Sequence, residues 1–338
     1  MKKRILYIGN DLRVNSFTVT YISFFSKMLR KEGYKVRTAS TKSNKALRLA
    51  EMLGLIAHYK NSTDIVLIDT YGALNFYYAY LVAKTCQMLD IEYIPILHGG
   101  NLPDRLEHSG KLSRSLFGNA RINIAPSKYL YDIFQSYGFK NMEIIPNSIK
   151  IDHHPFKERK QFRPKLLWVR RFQKRYNPLM AIKVLRLLKE TYPEASLCMV
   201  GPEKDGSMAT CKKLAKKYDL DVRFTGKLKK KHWAQLAASY DFFINTTSID
   251  NTPISVIEAM SLGLPVISTD VGGMPQLIEH GHDGLLVPGD DEKAMVNAIR
   301  ELLVDQNKAR EMARHGHQKV ELFDWDLVKE KWNRILDS

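Results

Sequence analysis

The chain has 338 residues, of which 44% are hydrophobic and 26% are charged, and no stretch of it is low in complexity or dominated by Pro and Gly. A chain of this length is too long for a single hydrophobic core and suits two domains of roughly 150 to 170 residues. The composition excludes an intrinsically disordered chain. The three widely spaced cysteines match neither a disulfide framework nor a Cys-x-x-Cys metal site, which favours a reducing compartment.

The chain is strongly basic, with 52 Lys and Arg residues against 36 Asp and Glu residues and a formal charge of +16. The excess is concentrated in residues 1–150, where 21 basic residues face 11 acidic ones, a net of +10. Such a charge attracts anionic partners, which include nucleic acid, phosphorylated substrates and an acidic membrane face. No nucleic-acid-binding motif accompanies the basic residues, so we predict no nucleic-acid partner.

Neither a signal peptide nor a transmembrane helix is predicted. The apolar run from Ile5 to Ile8 stops at Gly9, too early for the hydrophobic region of a signal peptide. The longest apolar stretch, Leu74 to Ala83, has about half the length that spans a bilayer. These features predict a cytoplasmic protein.

The first half of the chain alternates short β-rich runs with helix-length segments. Residues 4–8 predict a strand, and an amphipathic stretch from about Thr18 to Glu32 predicts a helix closed by Gly33. Further predicted elements are strands at Lys35–Ala39, Ile65–Asp69 and Tyr93–Leu97 and a helix at Leu74–Leu89. This alternation predicts an α/β domain with a doubly wound parallel sheet over residues 1–150.

The alternation lapses after Pro146, and we predict a linker over residues 151–164. A second series of the same kind predicts a second α/β domain over residues 165–320, followed by a C-terminal helix over residues 321–338 that returns toward the first domain. The predicted strands are Lys165–Val169, Ser196–Val200, Val222–Phe224, Phe242–Asn245 and Pro265–Ser268, and the predicted helices are Pro178–Tyr192, Thr210–Tyr218, Lys231–Tyr240 and Pro253–Leu262.

Ligands of open α/β sheets bind at the carboxyl ends of the strands. Two such domains joined by a short linker are expected to place these edges around one cleft. We therefore expect the functional residues to lie between the two halves.

A polar loop after the predicted strand at 242–245 leads into the helix that begins near Pro253. Thr252 suits the capping position and Pro253 the first helical position. The free backbone amides around Ile254 and Ser255, with the helix dipole, predict a phosphate site. Asp250 lies just before this helix and Glu258 about one turn inside it, with Asn251 completing the loop. Two carboxylates beside a diphosphate require hydroxyl donors, which the ribose and hexose of a nucleotide-sugar supply.

The chain continues with Ser-Leu-Gly-Leu-Pro-Val-Ile-Ser-Thr-Asp-Val-Gly-Gly-Met-Pro-Gln-Leu-Ile-Glu over residues 261–279 and Asp-Gly-Leu-Leu-Val-Pro-Gly over residues 283–289. Together with the preceding loop and helix, this long stretch resembles the donor-domain signature of glycosyltransferase family 4. The resemblance implies the GT-B fold of two Rossmann-like domains, retention of anomeric configuration and no essential metal.

That family carries two acidic residues eight positions apart, usually both Glu. By resemblance, Glu258 would bind the ribose hydroxyls and Asp250 would contact the transferred sugar. Asp250 departs from the pattern because it is one methylene shorter than Glu, and Asn251 to Pro253 replace a glycine-containing loop. The identity of the sugar is therefore less well indicated than the ribose contact.

The family also carries an Arg and, five residues later, a Lys that neutralise the leaving diphosphate. Arg171 stands at the first place after the strand at 165–169, but Tyr176 occupies the second, so Lys174 or Arg175 is expected to substitute. Gly201 and Gly226, which end the next two strands, complete the predicted donor site. Two Asp-x-Asp sequences, Asp219 to Asp221 and Asp324 to Asp326, lie away from any predicted cleft-facing strand end, so we predict no metal.

The strand at 93–97 runs into His98, Gly99, Gly100 and Asn101, at the edge where ligands are expected. By resemblance, His98 would contact the donor sugar near the reacting carbon. Gly9, Asn10 and Asn15, after the first strand, are predicted on the acceptor side, although the glycine-rich loop usual in the family is reduced here to Gly9.

These features predict a metal-independent glycosyltransferase that moves a hexose from a UDP-, GDP- or ADP-sugar to a glycan or a polyprenyl- or other lipid-linked acceptor, in the assembly of a bacterial surface polysaccharide. The amphipathic segments at Tyr21–Lys31 and Lys111–Arg121 suit contact with the anionic inner face of the membrane, although such a segment is more often a helix that packs on its own sheet. The alternatives are a sugar-nucleotide epimerase or hydrolase of the same fold and a non-catalytic basic protein that binds nucleic acid or lipid.

Overall fold

The structure is a computed structural model that describes residues 2–10, 20–42 and 44–338. The chain divides into two compact units, Met1–Pro146 with Val328–Ser338, and Asn147–Leu327. Residues 151–164, expected to be a linker, lie within the second unit.

The described residues of the first unit include a six-stranded sheet and the α-helices that cover it. Its strands are β1 (Arg4–Ile8), β2 (Lys35–Ala39), β3 (Ile65–Thr70), β4 (Tyr93–Leu97), β5 (Asn123–Ala125) and β6 (Met142–Ile144), and its helices are α1 (Tyr21–Lys31), α2 (Lys45–Tyr59), α3 (Asn75–Met88), α4 (Pro103–His108), α5 (Gly110–Phe117) and α6 (Lys128–Ser136). The strand order is β2-β1-β3-β4-β5-β6, and every pairing is parallel. The chain therefore reverses its direction across the sheet between β1 and β3, the kind of position where such sheets bind ligands.

The second unit repeats this plan. Its strands are β7 (Lys165–Val169), β8 (Ser196–Val200), β9 (Val222–Gly226), β10 (Phe242–Asn245), β11 (Val266–Thr269) and β12 (Leu285–Val287), and the helices are α7 (Pro178–Lys189), α8 (Ser207–Lys217), α9 (Lys230–Ala237), α10 (Ile254–Ser261), α11 (Met274–Leu277), α12 (Glu292–Val304), α13 (Gln306–Glu321) and α14 (Trp325–Asp337). The strand order is β12-β11-β10-β7-β8-β9, again parallel throughout. Here the reversal falls between β7 and β10. The division between the units falls inside α14, after Leu327.

Alternating side chains of the second sheet pack in two hydrophobic cores, one on each face. Leu166 and Trp168 of β7 pack in one hydrophobic cluster with α7 and α12, whereas Leu167 packs in a second cluster with α9 and α10. This is the two-residue period of a strand whose two faces are both covered. Burial on both sides holds the strand ends, and the residues that follow them, in fixed positions.

Helices α1 and α5, which cover most of the two amphipathic segments, pack on their own unit. In α1, Phe25 and Leu29 are fully buried, and in α5 the same is true of Leu116 and Phe117. Their apolar faces therefore serve the core of the first unit. Among the described residues, none of the helices combines the length and apolar character needed to cross a bilayer.

Candidate functional site

The loops after β7 and β10 are tied together by a buried tryptophan. Trp168 donates its indole Nε1–H to Thr246 Oγ1 at 3.1 Å, and this hydroxyl lies 3.0 Å from the carbonyl oxygen of Tyr176. Because Trp168 and Thr246 are both fully buried, the two loops at the point of reversal form one rigid platform.

Helix α10 begins on this platform. Pro253 occupies the capping position and Ile254 the first helical position, one residue later than predicted, so the capping role predicted for Thr252 is wrong. In the described ranges, no protein acceptor faces the amides of Ile254 and Ser255. The hydroxyl oxygen of Ser255 is also buried without a partner in those ranges. The two amides, the Ser255 hydroxyl and the helix dipole are thus together at the start of α10, an arrangement that suits an anion.

Asp250, just before α10, is held by its neighbours in the loop. Its Oδ1 accepts the Asn251 amide at 2.9 Å, and its carbonyl oxygen accepts the Gly273 amide at 3.0 Å. Its Oδ2 forms an ion pair with the guanidinium of Arg170, in which each side chain is 16% exposed. Asn251 and Thr252 are buried, and the Thr252 carbonyl accepts Asn147 Nδ2 at 3.1 Å.

The structure therefore places Arg170 beside Asp250. Arg171, predicted to neutralise the diphosphate, is exposed. The Arg170 guanidinium carbon lies 4.9 Å from the centre of the Tyr176 ring, and that of Arg175 lies 5.5 Å from it, both within cation–π range. Tyr176, which stands where the family has its lysine, thus contacts two arginines. The Nε of each arginine is buried and has no hydrogen-bond partner in the described part of the chain.

Lys174 lies further out than Arg175. Its side chain is exposed, and its backbone amide donates to Asp205 Oδ2 at 2.9 Å. By contrast, the Arg175 carbonyl accepts the Ser248 amide at 2.9 Å, which ties it to the loop after β10. Of the two substitutes predicted for the family lysine, the structure brings Arg175 to the platform.

Glu258 is buried inside α10 between Lys230 and His154. Its Oε1 lies 2.5 Å from Lys230 Nζ and 3.5 Å from His154 Nε2. Burial alone would raise the pKa of Glu258, but Lys230 and His154 outweigh it and leave the pKa below its usual value. Glu258 is therefore a carboxylate at neutral pH, although it is only 4% exposed.

The ends of β7, β8 and β9 meet at two glycines. The Gly201 amide donates to the Gly226 carbonyl at 2.8 Å. Gly201 has a φ of +154°, and a side chain there would overlap the carbonyl of Arg170. Lys227 follows Gly226, and its pKa is lowered by burial and by the neighbouring charge of Arg171. The region around these strand ends is therefore electropositive.

His98 of the first unit lies in a buried aromatic setting. Its Nε2 is 2.8 Å from Asp69 Oδ1. The Tyr71 ring stacks on the imidazole with centroids 5.3 Å apart, and the Tyr21 ring meets it edge-on at 4.9 Å. Gly99 and Gly100 are buried in the turn that follows, where the Leu102 amide donates to the Gly99 carbonyl at 3.0 Å, and Asn101 lies in the same turn.

On the predicted acceptor side, Gly9 and Asn10 directly follow β1. Asn10 Oδ1 accepts a hydrogen bond from Arg48 Nη1 at 3.0 Å. Asn15, also predicted there, lies outside the described residues.

Four residues at these places were missed by the sequence analysis: Arg170, His154, Lys230 and Asp69. Arg170 lies two residues after Trp168, so the strand period could have placed it on the side facing the loop after β10. His154 was taken as part of a linker, and its partner Glu258 is 104 positions away in the sequence. Lys230 is the middle one of three consecutive lysines, and the sequence gives no sign that one of them is paired.

Among the described residues, no group of three or more His, Cys, Asp or Glu side chains is arranged to hold a metal ion. Asp324 and Asp326, which form one of the two Asp-x-Asp sequences, lie 3.9 Å and 2.5 Å from Lys150 Nζ.

Comparison with solved structures supports the fold. Over 99% of this chain, sucrose-phosphate synthase from Thermosynechococcus elongatus superposes with a TM-score of 0.81 at 17% identity, covering 98% of that chain. Anabaena HepE in complex with UDP-glucose superposes with a TM-score of 0.75 at 17% identity, covering 99% of each chain. The prediction of an α/β GT-B fold with two parallel sheets is confirmed.

Two curated relatives match part of this chain and part of their own length. Sulfoquinovosyl transferase SQD2 of Arabidopsis thaliana is 30% identical over 158 residues, 45% of this chain and 29% of that protein. A GDP-mannose-dependent phosphatidylinositol monomannoside mannosyltransferase of Corynebacterium glutamicum is 28% identical over 165 residues, 46% of this chain and 42% of that protein. The chain thus matches less than half the length of either relative.

Residues 150–319 match the family described as "Glycosyl transferases group 1". The matched segment contains Arg170, Asp250, α10 and Glu258 and covers half of the chain. The protein belongs to the group 1 glycosyl transferases.

Proposed function

We propose that the protein is a retaining glycosyltransferase of family 4 that transfers a hexose from a nucleotide-sugar without an essential metal. The observation that carries this proposal is the start of α10, where the amides of Ile254 and Ser255 and the Ser255 hydroxyl have no protein acceptor in the described ranges. A diphosphate supplies acceptor oxygens for all three donors.

The positive charge for the leaving diphosphate comes, in this proposal, from Arg170 and Arg175. Both guanidinium groups lie over Tyr176, and both retain a buried Nε–H without a protein acceptor in the described ranges. Preorganised cations and helix amides can stabilise the developing charge of the leaving group, which is the task a metal performs in other transferases. Retention follows from the resemblance to family 4, in which the leaving diphosphate helps to deprotonate the acceptor on the same face.

Glu258 is the proposed ribose ligand. Its contacts with Lys230 and His154 both involve Oε1, so we assign the ribose hydroxyls to Oε2. Asp250 is the proposed sugar contact, and its ion pair with Arg170 couples recognition of the hexose to the diphosphate charge. The names of the relatives support a nucleotide-sugar donor, since one mannosyltransferase is GDP-mannose-dependent and HepE was solved with UDP-glucose. UDP-, GDP- and ADP-sugars are the donors to test.

We further propose a glycan or lipid-linked acceptor, a role in bacterial surface polysaccharide assembly, and a cytoplasmic location with contact to the inner membrane face. The net charge of +10 in residues 1–150 supports contact with anionic lipid. Exposed apolar side chains of the first unit support it too, because Leu47 on α2 is 60% exposed and Met88 at the end of α3 is 84% exposed. Among the relatives, the mannosyltransferase acts on a phosphatidylinositol mannoside by name.

Incubation of the full chain with labelled UDP-, GDP- and ADP-hexoses, with and without a polyprenyl-diphosphate-linked or free glycan acceptor, tests the proposal. A transferase yields a larger glycan only when acceptor is present. Free epimer or free sugar from the donor alone would favour the epimerase or hydrolase alternative. Salt-sensitive binding to nucleic acid or anionic vesicles, with no turnover of any donor, would favour the non-catalytic alternative.

A further inference from the structure

Asp69 is the centre of a buried hydrogen-bond network that joins three adjacent strands of the first sheet. Tyr7 on β1 donates its hydroxyl to Asp69 Oδ1 at 2.6 Å, and His98, the first residue after β4, places Nε2 2.8 Å from the same oxygen. Tyr7 is fully buried, Asp69 is 7% exposed, and the His98 side chain is 7% exposed. Groups buried this deeply are satisfied by one another, so their donor and acceptor roles are fixed.

The directions of these hydrogen bonds follow from Tyr7. Burial and the neighbouring Asp69 raise the pKa of Tyr7 far above its usual value, so its hydroxyl keeps its proton and donates. Asp69 Oδ1 is then an acceptor, and the ring nitrogen of His98 that faces it must carry a hydrogen. A neutral imidazole with its hydrogen on Nε2 has an acceptor lone pair on Nδ1.

The surroundings leave the network little freedom. The Tyr71 ring stacks on the imidazole with an interplanar angle of 28°, and the Tyr21 ring meets it at 64°. A side-chain carbon at Gly9 would lie 2.5 Å from Asp69 Oδ2, so the chain after β1 can lie against the carboxylate only because this residue is glycine. Gly9, predicted on the acceptor side, therefore serves the position of Asp69.

We infer that Asp69 is a positioning residue: it holds His98 as the tautomer with hydrogen on Nε2, so that Nδ1 accepts a hydrogen bond from a hydroxyl group of the sugar substrate. The inference rests on the proposed function, in which His98 contacts a sugar. What the inference adds is that His98 is the acceptor in this contact and that Asp69 determines this role. Both Tyr7 and His98 face Oδ1, so an amide oxygen at that place would still accept both hydrogens, and the test must remove the acceptor altogether. Without an acceptor at residue 69, the imidazole is no longer held with its hydrogen on Nε2, and the opposite tautomer presents N–H where a lone pair is needed.

The tautomer is read directly by ¹⁵N NMR of the full chain labelled at histidine, recorded above the histidine titration range. The His98 signals are assigned by their loss in His98→Gln. In the wild type we expect a protonated Nε2 and an unprotonated Nδ1, and in Asp69→Ala, which removes the acceptor, a substantial population with the hydrogen on Nδ1. Tyr7→Phe is the matched control, since it removes a hydrogen bond to the same carboxylate oxygen but keeps the acceptor, and it should retain the wild-type tautomer.

Kinetics provide the second readout. With the donor and acceptor found active, Asp69→Ala should lower kcat by roughly tenfold or more, with the affinity for nucleoside diphosphate unchanged, because the diphosphate contacts proposed above involve other residues. A wild-type His98 protonated on Nδ1 would overturn the inference, and so would an Asp69→Ala enzyme that is folded and as fast as the wild type. If Asp69→Ala does not fold, the wild-type and Tyr7→Phe spectra still decide the tautomer. Failure of the proposed function is distinct: no donor is turned over, while the tautomer can still be measured.

Discussion

The guanidinium of Arg170 forms an ion pair with the carboxylate of Asp250, joining the chain after β7 to the loop before α10. Arg171, its neighbour in the sequence, is exposed. The pair matters because an acidic side chain beside a diphosphate repels it unless a cation or a hydroxyl donor compensates.

This relationship predicts different effects for two adjacent arginines. Arg170→Gln removes a guanidinium from the proposed diphosphate site and leaves the Asp250 charge uncompensated, so the affinity for nucleoside diphosphate should fall. A charge-assisted contact contributes roughly 1.5 to 3 kcal/mol, which corresponds to a loss of about 10- to 150-fold. Arg171→Gln is the matched control and should change the affinity less than about threefold. Calorimetric titration compares the two, and a larger loss for Arg171→Gln would restore the assignment made from the family pattern.

Ser255 should separate stability from binding. Its buried hydroxyl has no partner in the described ranges, so Ser255→Ala should leave the melting temperature unchanged or slightly higher while it weakens diphosphate binding. Ser255→Asp places a negative charge in the first turn of α10, where it favours the helix dipole but occupies the proposed phosphate position.

We therefore expect Ser255→Asp to melt no lower than the wild type and to lose measurable binding. Thermal melting and calorimetry on the same preparations supply both values. Retained nucleotide binding in Ser255→Asp would contradict a phosphate at the start of α10.

Glu258 should give the fold a specific dependence on pH. Its pKa lies below the ordinary value of 4.5, so the folded state binds a proton less readily than the unfolded state. The resulting stabilisation is present above the unfolded-state pKa and is lost as the pH falls through the folded-state pKa. Denaturant unfolding at several pH values between about 7 and 3 should show a smaller loss of stability for Glu258→Gln than for the wild type. Equal slopes for the two proteins would show that the Lys230 and His154 contacts do not stabilise the carboxylate.

Arg159 should be a stability residue of the second unit. Although it falls in the segment predicted as a linker, it is 4% exposed and donates to five backbone carbonyls, including Ala237 at the end of α9 and Gly263 after α10. Arg159→Met leaves these carbonyls unsatisfied and should lower the free energy of unfolding by about 3 kcal/mol or more. Arg163→Ala, at an exposed position four residues later, should change it by less than about 0.5 kcal/mol. Similar values for the two variants would show that the carbonyls find other donors.

Much of the fold could be predicted because buried parallel strands carry a local signal. The bounds of the strands at 35–39, 93–97, 165–169, 196–200 and 242–245 agree with the structure residue for residue, since each is a short β-rich run that ends in a turn. Helix ends were predicted less well. The sequence predicts a helix from Lys231 to Tyr240, but α9 ends at Ala237. The predicted end is too late because Tyr240, beyond the last turn, is apolar and packs in the core although it is not helical.

The candidate site was harder to predict because its contacts join distant positions. A family pattern counts residues along the chain, whereas the side of the strand on which a residue lies decides whether Arg170 or Arg171 reaches Asp250. The same limit applies to Asp69, which reads in the sequence as the last residue of a buried strand. Only the neighbouring strands reveal that Tyr7 and His98 share its carboxylate oxygen.

The central claim is that a nucleoside diphosphate binds at the start of α10 with its ribose on Glu258. Titration of UDP, GDP and ADP into the full-length wild type, Glu258→Ala and Glu279→Ala measures this most directly, with Glu279 as an exposed acidic control outside the site. We predict that at least one of the three binds the wild type and Glu279→Ala with the same Kd and binds a folded Glu258→Ala at least about tenfold more weakly. Equal affinity for wild type and Glu258→Ala would contradict the account.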